Sequence, residues 1–193
     1  ARRIPMTVTE EATVAHSRSP FREYVGAAIG GTLLAVLALA GVTGYPWIAL
    51  ASFTAAGVVI ALVDIRTRRL PNRYTGPYAL AGALQAAAVS IVAADPWILI
   101  VSIAAAATVF LAYALMGMAG WFGFGDAKFA GAVALFASVF AGWFAIYLVP
   151  LAVLLSAGER LARIAAGRGR TAHAHGPAIA AAALVVTAAG ILT

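Results

Sequence analysis

Gly120-Trp121-Phe122-Gly123-Phe124-Gly125-Asp126-Ala127-Lys128-Phe129 lies between two apolar runs, and its reading decides the fold. A carboxylate beside membrane-length apolar sequence is costly to keep, so Asp126 is a functional candidate. Glycines permit backbone conformations and close approaches that other residues forbid. A Gly-x-Gly-Asp that opens a helix can aim its Asp into a membrane-embedded cavity, where irregular backbone is tolerated. A second carboxylate, Asp64, closes an earlier apolar run and begins Asp64-Ile65-Arg66-Thr67-Arg68-Arg69-Leu70-Pro71-Asn72.

Composition agrees with a membrane setting. The chain has 193 residues, 63% hydrophobic and 10% charged, with a mean hydropathy of +0.96. Soluble domains are about 45–50% apolar and about 25% charged. The expectation is an all-α, polytopic transmembrane bundle. A polar N-terminal tail over 1–24 would precede one transmembrane domain over 25–193. The net charge of +6 reads as basic cytoplasmic loops rather than a nucleic-acid surface, and no nucleic-acid partner is expected. There are no cysteines, which removes disulfides and thiolate metal sites within the chain.

Residues 25 to 63 carry no charge, a run too long for one crossing of a ~30 Å core. Gly41-Val42-Thr43-Gly44-Tyr45-Pro46 breaks it into helices over about 25–42 and 47–64. Ala38-Leu39-Ala40 resembles a signal-peptidase site, but the long polar tail and second apolar run favour an uncleaved anchor. Helices are expected over 74–94 and 97–118, with Asp95-Pro96 as the turn and Trp97 as an interfacial anchor. The run 129–158 fits one long helix or two short ones broken near Ala141-Gly142. Pro150 is expected to kink the latter part. Gly176-Pro177 opens the last helix.

The positive-inside rule arbitrates the count. Placing 65–73, Lys128 and 159–170 in the cytoplasm requires seven crossings; six would put the 159–170 arginines outside. Asp64 then ends one helix and Asp126 begins another on the same cytoplasmic side. Like charges a few ångströms apart cannot both ionise easily, so such a pair shares a proton. One can take a proton from water while the other polarises a peptide carbonyl, which is aspartyl-protease chemistry without metal or cofactor. Spacing alone leaves open that both are ordinary helix-end charges, Asp126 only complementing a helix N-terminus.

The words around the aspartates resemble those of type IV prepilin peptidases. Asp64 with Arg66, Arg68, Arg69, Leu70, Pro71 and Asn72 is similar to their first signature. Gly123-Phe124-Gly125-Asp126-Ala127-Lys128-Phe129 is similar to their second, and His175-Gly176-Pro177 to the entry of their final helix. The resemblance covers about residues 47–193. It implies an intramembrane aspartyl protease of a prokaryotic cytoplasmic membrane, multi-pass, that clips the basic leader of prepilins or pseudopilins at the cytoplasmic border. It implies Asp64 and Asp126 as the catalytic pair, with Gly123, Gly125, Lys128, Pro71 and Asn72 shaping the site or binding substrate. Longer members carry a cysteine-rich insert associated with N-methylation; this chain resembles the short, peptidase-only form, so methyltransferase activity is not expected. The implied partners are the prepilin leader and N-terminal helix, and membrane lipids.

Other residues read more plainly. Lys128 is open between a substrate or carboxylate contact and a positive-inside anchor. The Arg66–Arg73 cluster reads as topogenic. His173 and His175 read as solvated loop residues, and no metal is expected. Glu159 is expected to pair with Arg163. Two rival readings use the same carboxylates: a proton-coupled transporter, with the carboxylates nearer the bilayer midplane, and a non-catalytic assembly subunit of a pilus or secretion system.

Overall fold

The computed structural model describes residues 21–68, 70–167 and 174–193. Arg69, Arg168, Arg170, His173 and the 1–20 part of the tail lie outside the described residues. Seven α-helices occur among those described: α1 Phe21–Leu39, α2 Tyr45–Thr67, α3 Asn72–Val92, α4 Pro96–Met118, α5 Phe124–Ala141, α6 Leu148–Ala165 and α7 Gly176–Leu192. A 3-10 segment, Gly142–Tyr147, joins α5 to α6. No strand occurs among the described residues. The protein is a helical membrane bundle. Tyr45–Thr67, Asn72–Val92, Pro96–Met118 and the continuous stretch Phe124–Ala165 are long and apolar enough to cross a membrane, while Val25–Leu39 and Gly176–Leu192 are shorter apolar helices.

The punctuation follows the turn residues. Gly41 and Gly44 take positive φ (62° and 83°), and Pro46 sits in the first turn of α2. Asp95 caps α4 by accepting the Trp97 N–H at 2.9 Å, which satisfies one orphan donor of the helix start. The charge-free run from 129 breaks at Gly142, whose φ of 54° an L side chain rarely adopts. The break places Pro150 at the third residue of α6. In that first turn its missing N–H costs no bond of α6, so the expected kink inside that helix is not needed there. Helix α1 also starts earlier than the apolar run, at Phe21, taking in Arg22 and Glu23.

Helices in lipid associate through close packing rather than a hydrophobic drive between them. Phe53 of α2 stacks on Phe136 of α5 with ring centroids 3.8 Å apart. Tyr78 of α3 donates to the Phe53 carbonyl at 3.1 Å. A Cβ on Gly190 would lie 2.6 Å from the Ala141 Cα, so α5 and α7 meet backbone to backbone at that end. Asp64–Gly176, Asn72–Lys128 and Tyr113–His175 contacts gather the end of α2, the starts of α3, α5 and α7 and the last turns of α4 at the opposite end. Asp64, Asp126 and the residues around them sit at this second end. Glu159 and Arg163 pair across one turn of α6, as expected.

Candidate active site

Asp64 faces inward because α2 buries one stripe. Phe53, Gly57, Ile60, Ala61 and Asp64 recur at helical spacing and are all buried. At 5% exposure Asp64 is the most enclosed carboxylate described. Its Oδ2 accepts the Gly176 N–H at 2.8 Å. That N–H belongs to the first residue of α7 and has no partner within its own helix. A Cβ on Gly176 would fall 2.9 Å from the same oxygen, so glycine is what allows the approach.

Asp126 is the third residue of α5, whose N-cap is Gly123. Its Oδ2 reaches back to accept the Gly123 N–H at 2.9 Å, the carboxylate half of a capping box. Asp126 therefore does complement a helix N-terminus. Asp64 lies near enough to act electrostatically on Asp126. Among the described residues, no donor meets the Oδ1 of either aspartate.

The two signature stretches touch. Leu70 is buried in the link between α2 and α3, and a Cβ on Gly125 would lie 3.0 Å from Leu70 Cβ and 3.4 Å from its carbonyl oxygen. Gly125 is thus small so that Leu70 can pack across the start of α5. Neither Gly123 nor Gly125 has a positive φ; Gly120, at 81°, does. Gly125 serves close approach rather than an unusual dihedral, whereas a Cβ on Gly123 would meet its neighbours only at ordinary contact distances. Pro71 is extended (φ −69°, ψ 143°) and forms the N-cap of α3, turning the link into Asn72. Asn72 Oδ1 then accepts from Lys128 Nζ at 2.8 Å, and the Lys128 ammonium lies 5.2 Å from the Phe124 ring centroid. Asp64, Asp126, Gly123, Gly125, Lys128, Pro71 and Asn72 are accordingly gathered at one end of the bundle.

His175 corrects the sequence reading. It is not solvated but buried. Its Nε2 is 3.0 Å from the Tyr113 hydroxyl, and its ring stacks on Phe122 of the glycine loop with centroids 4.1 Å apart. Phe122 also packs against Tyr113. These aromatic contacts tie the glycine loop, α4 and the start of α7 into one wall beside Asp64. Tyr113 and Phe122 carry no local signal of a site role in the sequence; for Gly176 the local signal is the Gly-Pro that opens α7. Among the described residues, no three His, Asp or Glu side chains cluster in a way that could hold a metal ion.

Comparison with curated proteins and with solved structures found no match. Residues 51–158 match the Type IV leader peptidase family. The match spans more than half of the chain and includes both aspartates, both glycines, Lys128 and Pro71-Asn72. It stops short of α1 and of α7. On that match, the chain is a member of the type IV leader peptidase family.

Proposed function

We propose that this peptidase is an intramembrane aspartyl endopeptidase that removes the basic leader of type IV prepilins or pseudopilins. Asp64 and Asp126 are the catalytic pair. The observation that carries the reading is that carboxylates 62 positions apart in sequence, from two different helices, are brought to one end of the bundle, where Leu70 beyond α2 packs on Gly125 beside Asp126. Each is held by a backbone N–H through Oδ2. Held this way, one oxygen of each is oriented by the fold and the other is left for water and substrate.

The chemistry needs only this chain. The unprotonated aspartate takes a proton from water as the water oxygen bonds to the scissile carbonyl carbon. The protonated aspartate gives its proton to the carbonyl oxygen. The tetrahedral intermediate collapses as the C–N bond breaks: the aspartate that took the water proton passes it to the departing nitrogen, and a hydroxyl of the intermediate returns a proton to the other aspartate. The pair needs no metal and no cofactor.

The active end faces the cytoplasm of a prokaryotic inner membrane. Arg66, Arg68, Arg73, Lys128, Arg160 and Arg163 belong to this end, whereas the opposite links at 40–44, 93–95 and 142–147 hold no Lys or Arg. That asymmetry supports seven crossings. A transporter reading expects carriers near the midplane, but Asp64 is three residues from the end of α2 and Asp126 three residues into α5. The assembly-subunit reading is favoured only by the helix-capping bonds, which a catalytic pair can also make. The test is to incubate the purified protein with a prepilin-like substrate and locate the cut by mass spectrometry. A single cut between the basic leader and the apolar helix supports the proposal; an intact substrate contradicts it.

A further inference from the structure

A groove of about 520 Å³ opens on the flank of the bundle between α1, α2 and α3. It exists because α1 leans on α3 rather than on α2. A Cβ on Gly31 would lie 3.1 Å from the Ala81 Cα of α3, whereas one on the adjacent Gly30 would meet nothing within 4 Å. Gly30 lines the groove, as do Ser52 and Ile60 of α2 and Pro77 of α3. Ile60 is four residues before Asp64 on the same face of α2, so the groove ends one helical turn from the aspartate.

The mouth at that end carries a carboxylate. Glu23, in the first turn of α1, lines it. Its Oε2 is buried, and among the described residues it has no hydrogen-bond partner. Arg73 lines the same mouth but turns to the Tyr74 hydroxyl at 2.7 Å. A buried carboxylate oxygen without a partner is costly, and a cation beside it removes the cost. Small residues along an apolar, lipid-side groove suit a further helix, because they let backbones approach. An apolar body with a partnerless carboxylate oxygen at its mouth suits an apolar helix preceded by a basic residue, with Arg73 held aside on Tyr74.

We propose that this groove docks the apolar N-terminal helix of the substrate, with a Lys or Arg of its leader against Glu23. The inference rests on the proposed leader-peptidase function and adds where the substrate lies. The helix would run along α2 and deliver its N-terminal end to Asp64. Helix α1 lies outside the stretch that matches the family, while most of the α2 and α3 residues lining the groove lie inside it.

The test uses the full chain in lipid vesicles with two substrates, a prepilin with its apolar helix and a short peptide with only leader and junction. Gly30→Leu projects a side chain into the groove from a position whose Cβ meets nothing within 4 Å. The expected result is a rise of about tenfold in KM for the long substrate with little change in kcat, and no change for the short one. Glu23→Lys should weaken the long substrate similarly, and exchanging the leader's basic residue for Glu should restore it. An unchanged KM for the long substrate in Gly30→Leu, the outcome if lipid fills the groove, overturns the proposal. So does an equal loss on both substrates. Wild-type protein that cuts neither substrate overturns the peptidase reading itself, and the docking with it.

Discussion

Asp64 Oδ2 and the Gly176 N–H meet at 2.8 Å across 112 residues of chain. The contact fixes the carboxylate at the end of α2 against the start of α7, outside the stretch that matches the family. It also explains why no side chain fits at 176, since a Cβ there would press on the carboxylate it is meant to hold.

Gly176→Ala should therefore displace Asp64 while leaving the helices formed. A misplacement of about 1 Å near reacting atoms can cost about 100-fold in rate. The expected outcome is a fall in turnover of about 10- to 100-fold with unchanged helical content by circular dichroism. Near wild-type turnover would show that Asp64 does not depend on this contact.

How much was legible follows from what each feature depends on. Asp64 and Asp126 stood out because each ends or opens an apolar run, a local property. Helix boundaries set by Gly41-Val42-Thr43-Gly44 and Asp95-Pro96 were legible for the same reason. The break at Gly142 was one of two open options, because nothing local separates that glycine from others in an Ala-rich chain. The Asp64–Gly176 bond was not legible, since no local pattern links positions so far apart. His175 was misread because an Arg-rich neighbourhood implies water, while its burial is decided by Phe122 and Tyr113 from other segments. For Gly125 the sequence left backbone freedom and close approach both open; its partner Leu70 makes it a spacer.

Lys128→Met and Asn72→Ala break the 2.8 Å bond between α5 and α3. The pair is exposed, so each change should cost at most about 1 kcal/mol of stability. The double mutant should lose about as much as either single, because the two share one interaction. Denaturation of the variants in detergent checks this; additive losses would mean that the two act separately.

Topology gives a third expectation. Reporter fusions after Arg69 and after Arg168 should both read cytoplasmic, and a fusion at Thr193 external. A cytoplasmic Thr193 together with a cytoplasmic Arg168 would contradict seven crossings.

The chain has no cysteine with which to build the insert associated with N-methylation in longer members. Substrate matured by the purified protein in the presence of a methyl donor should keep a free N-terminal amine. A methylated N-terminus in mass spectra would contradict this.

The central claim is that Asp64 and Asp126 act as one catalytic unit, and charge removal without loss of shape tests it most directly. Asn accepts a backbone N–H about as well as Asp, so Asp64→Asn and Asp126→Asn should keep the bonds to Gly176 and Gly123 while abolishing acid–base chemistry. Turnover of a prepilin substrate should be measured for wild type, both single variants and the double variant, across pH, with folding verified for each. The account expects a bell-shaped wild-type profile whose two apparent pKa values belong to the pair. It expects nearly complete loss in each single variant, and a double variant scarcely worse than either. A folded Asn variant that processes substrate at close to the wild-type rate would contradict it.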